Sequence, residues 1–185
     1  NYNNVDITEE TLLNLHDMLL RHSEVDQNHR GRYKEHEVNV NAYDQNGNFL
    51  YVMMRSTSPA ETPQQMRQLI EWYYTELQIR NLHPIIRTGV FIVTFLKIHP
   101  FEDGNGRISR ALTDLLLLQR GYTHIKYSSV SRWVEWTKEA YYDALRATQV
   151  TLDGPTPNWT PFLEYFVHIL VNQLGPLKHE WSIVD

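Results

Sequence analysis

The residues best suited to do chemistry lie in one short stretch, HPFEDGNGRISR, which runs from His99 to Arg110. This stretch combines a histidine, neighbouring acidic side chains, a Gly-Asn-Gly turn and two arginines. An imidazole can take a proton from an attacking hydroxyl group, and guanidinium groups bind phosphate oxygens through paired hydrogen bonds. These residue types therefore indicate a site that binds phosphate groups and activates a hydroxyl group.

The turn formed by Gly104, Asn105 and Gly106 is expected just before a helix. Glycine lets the backbone turn so that its N–H groups point into a common space. The free N–H groups and the dipole of a helix start attract anions. Arg107 and Arg110 are three residues apart and share one face of the helix that follows. The sequence therefore predicts a cradle for an oligophosphate ligand.

Asp103 and His99 flank this predicted phosphate site. Mg²⁺ is commonly held by one or two carboxylates together with phosphate oxygens and water, so Asp103 is a candidate metal ligand. His99 ends the preceding helix and is a candidate general base, while Phe101 is expected to pack into the core. Simpler interpretations exist for each residue alone. Such turns are common in loops that bind nothing, a histidine at a helix end can interact with the dipole, and the arginines can pair with Glu102 and Asp103.

The composition excludes several other kinds of site. The chain has 185 residues, which fits one domain, and 42% of them are hydrophobic. The formal net charge of −5 and the absence of basic runs argue against nucleic-acid binding. Without cysteine there is no disulfide, thiolate metal site or cysteine nucleophile. The longest apolar run, Gly89 to Leu96, is far short of the roughly 20 residues that span a bilayer, and no signal peptide is recognisable. We therefore expect a cytoplasmic location and no membrane partner.

The rest of the sequence predicts a mostly α-helical domain with one β-hairpin. Residues 38–42 alternate between apolar and polar side chains, Asn46-Gly47 is a tight-turn signal, and residues 49–54 form the returning strand. Thr8 is expected to cap the first helix. Apolar periodicity and cap, proline and glycine signals predict helices over residues 7–21, 63–80, 84–98, 107–119, 134–148 and 161–174.

The stretch from His99 to Arg110 resembles the signature of the Fic family, H-x-F-x-[DE]-G-N-G-R-x-x-R, and fits it at every specified position. The similarity covers nearly the whole chain, because ITEETLLNLH, GRYK, the hairpin, TPQQMRQLIEWY and EAYYDALRATQ resemble segments of Fic domains in the same order. The resemblance implies a single Fic-type helical domain over residues 1–185, with the hairpin as a flap. Enzymes of this family mostly transfer AMP from ATP to a protein hydroxyl group and release pyrophosphate.

The resemblance also implies roles for individual residues. His99 would be the base that deprotonates a Ser, Thr or Tyr of a target protein, and Asp103 would hold Mg²⁺. The residues that would cradle and neutralise the phosphates of ATP are Gly104, Asn105, Gly106, Arg107 and Arg110.

Two further regions would bind the substrates. Tyr141 and Tyr142 resemble a tyrosine pair near the adenine pocket of Fic domains, and Gln149 takes the place of an asparagine found there. Core packing is the alternative role for both tyrosines. The flap would hold the target segment as an added strand, because a sheet edge binds an extended peptide through main-chain hydrogen bonds. The expected docking residues are Tyr51, Val52, Met53, Met54, Arg55 and Ser56.

Two features depart from the family pattern. Many relatives carry a histidine seven residues before the motif histidine, where this chain has Ile92, which we interpret as a packing difference. Many also carry an inhibitory helix, [ST]-x-x-x-E-[GN], whose glutamate pairs with the second motif arginine. This chain has no such pattern, and the nearest segment, Ser131 to Trp136, ends in tryptophan. Because the chain begins at Asn1, we expect a fragment of a longer protein, with the inhibitory helix in a missing segment or in a partner.

Several alternatives to AMP transfer remain open. One is transfer of UMP, GMP or phosphate, although the phosphate-transferring branch of the family usually has lysine in place of Gly106. Another is removal of AMP by the full-length protein, which would need the inhibitory glutamate. A non-catalytic binding module is disfavoured by the intact motif, and a DNA-binding regulator by the acidic charge balance. A homodimer is also compatible with the sequence, which does not identify the target protein.

Overall fold

The computed structural model of the chain describes residues 2, 5–23, 27–43, 46 and 48–181. Within these residues the fold is helical, with one antiparallel pair of strands. This architecture confirms the predicted mostly α-helical fold with a β-hairpin. In chain order the elements are α1 (Glu9–Leu20), β1 (Asn39–Tyr43), β2 (Phe49–Arg55), α2 (Thr62–Ile79), α3 (Pro84–Ile98), α4 (Asn105–Leu118), a 3₁₀ helix (Thr123–Lys126), α5 (Val130–Trp136), α6 (Lys138–Gln149) and α7 (Thr160–Trp181).

Helix α3 lies at the centre of the fold. Most of its residues are buried, and it contacts α2, α4, α6 and α7, as expected for a helix that is apolar on most sides. Ile92 is 3% exposed and belongs to the core, which agrees with its interpretation as a packing residue. Gly89 allows α7 to pack closely, because a Cβ atom there would lie 2.6 Å from Leu163 Cδ2 and 3.2 Å from Phe166 Cδ1. The loop that follows α3 therefore starts from a buried helix.

The hairpin has an irregular register. Its cross-strand pairs are Asn39–Arg55, Val40–Met54, Asn41–Val52, Ala42–Tyr51 and Tyr43–Phe49. Leu50 and Met53 consequently have no cross-strand partner, and the register shifts at each of them as it does at a β-bulge. Of the predicted tight turn, Asn46 is a turn residue and Gly47 lies outside the described residues.

The prediction of one helix over residues 134–148 is wrong, because two helices, α5 and α6, meet at Thr137. The Thr137 hydroxyl donates a hydrogen bond to the Trp133 carbonyl, 2.7 Å away, and lies 2.8 Å from the Tyr165 hydroxyl of α7. Such side-chain hydrogen bonds compete with the helical ladder, and Thr137 has a non-helical φ of −115° and ψ of 34°. Ser129 caps the start of α5, which the periodicity did not reveal.

The remaining helix boundaries differ less from those predicted. Thr8 caps α1 as predicted, since its Oγ1 accepts the Thr11 N–H at 3.1 Å. Helix α4 begins at Asn105, inside the Gly-Asn-Gly turn, and the helical backbone of α7 continues to Trp181. Among the described residues no helix has both the length and the apolar character needed to cross a membrane.

Asp114 of α4 carries a carboxyl group that is costly to ionise. Burial raises its pKa to about 6, against a smaller opposite effect of the Val130 backbone N–H. Its Oδ1 atom is buried without a hydrogen-bond partner in the described part of the chain. A raised pKa means that the group favours folding while it is protonated. That contribution is complete below the unfolded pKa of about 4 and is lost as the pH rises through about 6.

Replacing Asp114 with asparagine should therefore stabilise the protein at pH 7. We expect a gain of about 1 kcal/mol in the free energy of unfolding, after discounting for the partial exposure of the group, and no gain below about pH 4. Urea denaturation at both pH values measures the effect. Asp143→Asn, at an exposed position of α6, is the control. An equal gain at both pH values would show that the charge is not the cause.

Candidate active site

His99 follows α3 in a backbone conformation that few residues adopt. It is the C-cap residue, with φ 52° and ψ 62° in the left-handed region. Its backbone N–H donates to the Phe95 carbonyl at 2.9 Å, and its Nδ1 atom lies 3.2 Å from the Leu96 carbonyl oxygen. Because a carbonyl oxygen only accepts, Nδ1 must carry the proton of this bond. In the neutral ring Nε2 then holds the lone pair and is the atom that can accept a proton.

The surroundings of His99 keep its imidazole neutral. Burial lowers its pKa to about 4. The hydrogen bond to Leu96 and the charge of Asp103 oppose this shift, whereas the charge of Lys34 adds to it. A histidine that is unprotonated near neutral pH can serve as a general base. His99 therefore has both the tautomer and the protonation state that its predicted role requires.

Buried side chains fix the loop between α3 and α4. Phe101 is fully buried, as predicted, and stacks on His16 of α1 with ring centroids 4.0 Å apart. The Nδ1 atom of His16 accepts the Gly31 backbone N–H at 2.9 Å. Its Nε2 atom, which is then protonated, donates to the Asp103 backbone oxygen at 3.2 Å. The backbone that carries the Asp103 carboxylate is thus held in one position.

Asn105 holds the same loop and begins α4. Its Oδ1 accepts the Phe101 N–H at 3.0 Å, and its Nδ2 donates to the Phe101 carbonyl at 2.8 Å. The Asn105 side chain is therefore committed to the loop, and its backbone N–H is the group left for a phosphate. Gly104 precedes the helix with φ 80°, a conformation that favours glycine. The first N–H groups of α4 have no partner within the helix and can bind an anion.

The two motif arginines have different partners. Arg107 Nη2 donates to Asp103 Oδ2 at 2.7 Å in an exposed ion pair. Arg110 Nε donates to the Ser131 hydroxyl of α5 at 3.1 Å. Within the described ranges, no carboxylate forms an ion pair with Arg110, and Glu102 instead binds the backbone of the loop before β1. The Arg110 charge is thus available for an anionic ligand.

A pocket beside His99 brings together residues that are far apart in the sequence. About 580 Å³ of space not filled by atoms lies within it, part of which is open to solvent. The hairpin contributes Val40 and Met54 to its wall, whereas Asp103 and Arg107 do not line it. The predicted site residues that line the pocket are His99, Gly106, Arg110, Tyr141, Tyr142 and Gln149.

Helix α6 forms an aromatic wall of this pocket. Tyr141 is 7% exposed, with its ring 5.4 Å from that of Tyr142 and 5.7 Å from that of Tyr165. Burial raises the pKa of the Tyr141 hydroxyl, so it stays protonated and can donate. Gln149 is buried, and its Nε2 lies 3.4 Å from the Val93 carbonyl. Tyr141 is therefore both a core residue and a pocket residue, so the two interpretations of its sequence position are compatible.

Sequence reasoning missed two basic residues near His99. Arg146 lines the pocket and lies one helical turn after Tyr142 on α6, a spacing that could have identified it. Lys34 is only 3% exposed and is hydrogen-bonded to the Ile98 carbonyl, immediately before His99. Nothing in the basic segment GRYK indicates that this lysine is buried.

A second and more open groove runs along β2. It is lined by Val52, Arg55 and Ser56, three of the predicted docking residues. Lys97 and Asp153 form an ion pair of 2.7 Å at this groove. Met54 lines the His99 pocket instead. The described side chains of the predicted docking stretch are therefore divided between that pocket and this groove. Tyr51 and Met53 are placed by the backbone register alone.

The fold and the site together define a helical domain in which a neutral histidine, the start of a helix and a hairpin meet at one pocket. The profile of the Fic/DOC family matches residues 6–117, and the chain belongs to that family.

Proteins of known description support the family membership. The "Protein adenylyltransferase Fic" of Drosophila melanogaster is 31% identical over 118 residues, which are 64% of this chain and 21% of that protein. The chain thus spans about a fifth of the length of that relative. A Fic family protein from Desulfovibrio desulfuricans has a TM-score of 0.76 and 25% identity over 97% of this chain and 48% of its own. A Fic domain-containing signaling protein from Bacteroides thetaiotaomicron has a TM-score of 0.70 and 26% identity over 93% and 62%.

Proposed function

We propose that this chain transfers AMP from ATP to a serine, threonine or tyrosine hydroxyl of a target protein and releases pyrophosphate. The observation that carries the proposal is the pocket that joins a neutral His99, the unneutralised Arg110 and the tyrosines of α6. The adenylyltransferase name of the Drosophila relative supports ATP as the nucleotide. The cytoplasmic location and the absence of a nucleic-acid partner stay predictions.

The reaction needs a base, a phosphate site and a positioned target. The target hydroxyl oxygen would attack the α-phosphorus of ATP, and its proton would pass to His99 Nε2. The bond between the α-phosphorus and the oxygen leading to the β-phosphate would break, with pyrophosphate as leaving group. The backbone N–H groups at the start of α4 and the guanidinium of Arg110 would hold the negative charge of the leaving phosphates. Positioning and electrostatic stabilisation are the main contributions that such a transfer requires.

The residues at the site fit a magnesium–ATP complex. Mg²⁺ usually keeps several waters and binds one or two carboxylates together with phosphate oxygens. Among the described residues, no cluster of three or more acidic or histidine side chains could hold a metal by itself. The exposed Asp103 carboxylate suits a site that ATP completes, in which the ion would neutralise phosphate charge.

Replacing Asp103 with asparagine should reduce the contribution of Mg²⁺ to ATP binding. We expect the wild-type chain to bind ATP more tightly with Mg²⁺ than with EDTA, and the variant to lose about tenfold or more of that difference, because the carboxylate charge is absent. Isothermal titration with and without Mg²⁺ measures this. Asp17→Asn is a matched control, since Asp17 is also an aspartate paired with an arginine, 3.2 Å from Arg30 Nε. An unchanged dependence on Mg²⁺ in the Asp103 variant would remove the metal role.

The proposal is tested by following each phosphate of ATP separately. The wild-type chain is incubated with Mg²⁺, a cell lysate and ATP labelled on either the α- or the γ-phosphate. Incorporation of the α label alone supports AMP transfer, whereas incorporation of the γ label would indicate phosphate transfer. α-labelled GTP, CTP and UTP establish the base preference, and mass spectrometry of labelled proteins identifies the modified side chain. A folded chain that binds no nucleotide would contradict the proposal and favour the alternative of a non-catalytic binding module.

A further inference from the structure

Lys34 is a buried cation that the proposed reaction does not use. Its side chain is among the most buried charged groups of the described chain, at 3% exposure. No carboxylate within the described ranges forms an ion pair with it. The charges of Glu37 and Glu102 favour its protonated form, but burying an ammonium group is costly unless its hydrogen bonds are satisfied. The hydrogen bonds of Lys34 therefore decide whether its burial serves a role at the site.

The contacts of Lys34 enclose His99 on both sides along the chain. Its Nζ donates to the carbonyl of Ile98, the residue before His99, at 3.0 Å. Its backbone N–H donates to the carbonyl of Pro100, the residue after His99, at 2.9 Å. A non-glycine residue in the left-handed region is strained and persists only when its surroundings hold it. Lys34 supplies that restraint at one backbone carbonyl on each side of His99.

The same ammonium group reaches the hairpin. Lys34 Nζ donates to Ser56 Oγ at 2.7 Å, and Ser56 Oγ donates to the Val38 carbonyl at 2.5 Å. Ser56 follows β2 and Val38 precedes β1. One side chain therefore links the end of α3 to the base of the hairpin.

We infer that Lys34 is the positioning residue for His99, because it fixes the turn that carries the imidazole and connects that turn to the hairpin on which the target would lie. This inference rests on the proposed AMP transfer for its catalytic meaning. Lys34 also acts electrostatically, since its charge lowers the pKa of His99. The other charged groups around His99 are Asp103 of the loop, Arg110 of α4 and Arg146 of α6.

The test uses two variants of Lys34. Lys34→Met removes the charge and the hydrogen-bond donor, whereas Lys34→Gln removes the charge but keeps an amide donor. In both variants we expect the His99 pKa to rise, as measured by NMR titration of isotope-labelled histidine, with the His99 signal assigned from a His99→Asn spectrum. We expect the methionine variant to transfer AMP about tenfold to a hundredfold more slowly, because a small misplacement of a reacting group has effects of this size. Its ATP affinity should change little.

Lys97→Met is the matched control for the titration. Lys97 belongs to the last turn of α3, whose end Lys34 contacts, but its charge is paired with Asp153. The His99 pKa should therefore not change in Lys97→Met. If His99 titrates as in the wild type in both Lys34 variants, or if Lys34→Met transfers AMP at the wild-type rate, the inference is wrong. If Lys34→Met does not fold, Lys34→Gln decides. The titration does not depend on activity, so a wild-type chain that transfers no nucleotide would refute the proposed function without deciding the role of Lys34.

Discussion

Replacing His99 with asparagine is expected to abolish AMP transfer while ATP binding persists. Nε2 of His99 is the atom that would take the proton of the target hydroxyl, a role separate from holding the phosphates of ATP. A general base typically contributes about 10²–10⁴-fold to a rate. We therefore expect a loss of this size in the rate of target labelling, with the dissociation constant for ATP changed by less than about threefold.

Asparagine is a better substitute than alanine because of the backbone at this position. His99 has a φ of 52°, and asparagine adopts the left-handed region more readily than alanine, for which the cost is roughly 1–2 kcal/mol. A rate loss in His99→Asn therefore reports the missing imidazole rather than a changed loop. His36→Asn is the control, since the His36 side chain is 82% exposed and lies outside the pocket lining. Transfer at near-normal rates by His99→Asn would exclude the base role.

The lowered pKa of His99 adds an expectation for the pH dependence of the same reaction. An ordinary histidine is half protonated near pH 6.5, whereas burial keeps His99 neutral down to about pH 4. Protonation of the base should therefore not reduce the rate of transfer between pH 8 and pH 5.5. A rate that falls with an apparent pKa near 6.5 at saturating ATP would contradict the buried environment of His99.

The sequence was sufficient for the parts of the site that depend on local rules. The cap at Thr8 and the glycine at 104 follow from side-chain and backbone preferences within a few residues, whereas α4 starts two residues before the predicted Arg107. The motif also places His99, Arg110 and Gly106 close together, because they belong to one helix–loop–helix segment. Their meeting with Tyr141 and Gln149 was expected only from the resemblance to a family, since no periodicity specifies which helix faces a pocket.

The parts that could not be predicted depend on long-range contacts. Lys34 looks like a solvated residue in a basic turn, and its burial results from the packing of three segments around one ammonium group. At the break between α5 and α6, the Thr137 hydroxyl lies within hydrogen-bond distance of Tyr165 on a distant helix. Asn105 fits a phosphate cradle by sequence, but its side chain instead holds the loop. In each case the hydrogen-bond partner that determines the local structure is brought close only by folding.

The second large effect is expected at the hairpin, where the proposed target would dock. Phosphoryl-type transfer depends largely on holding the attacking oxygen in line with the phosphorus, and a strand edge can hold an extended segment through backbone hydrogen bonds. Met53→Pro removes a backbone donor from the predicted docking stretch. Met53 has no cross-strand partner, and proline is tolerated at bulges, so the hairpin itself should remain folded.

We expect Met53→Pro to slow modification of the target about tenfold or more, with ATP affinity nearly unchanged. Leu50→Pro is the matched control, because Leu50 is the other bulge residue of β2 and lies outside the docking stretch. Rates of target labelling for both variants, with circular dichroism and melting temperature to verify folding, measure the effect. A docking role requires a clear loss in Met53→Pro and a much smaller one in Leu50→Pro. Equal losses would mean that hairpin shape alone matters, and an unchanged rate in a folded Met53→Pro would leave the hairpin as a cover of the core that takes no part in binding the target.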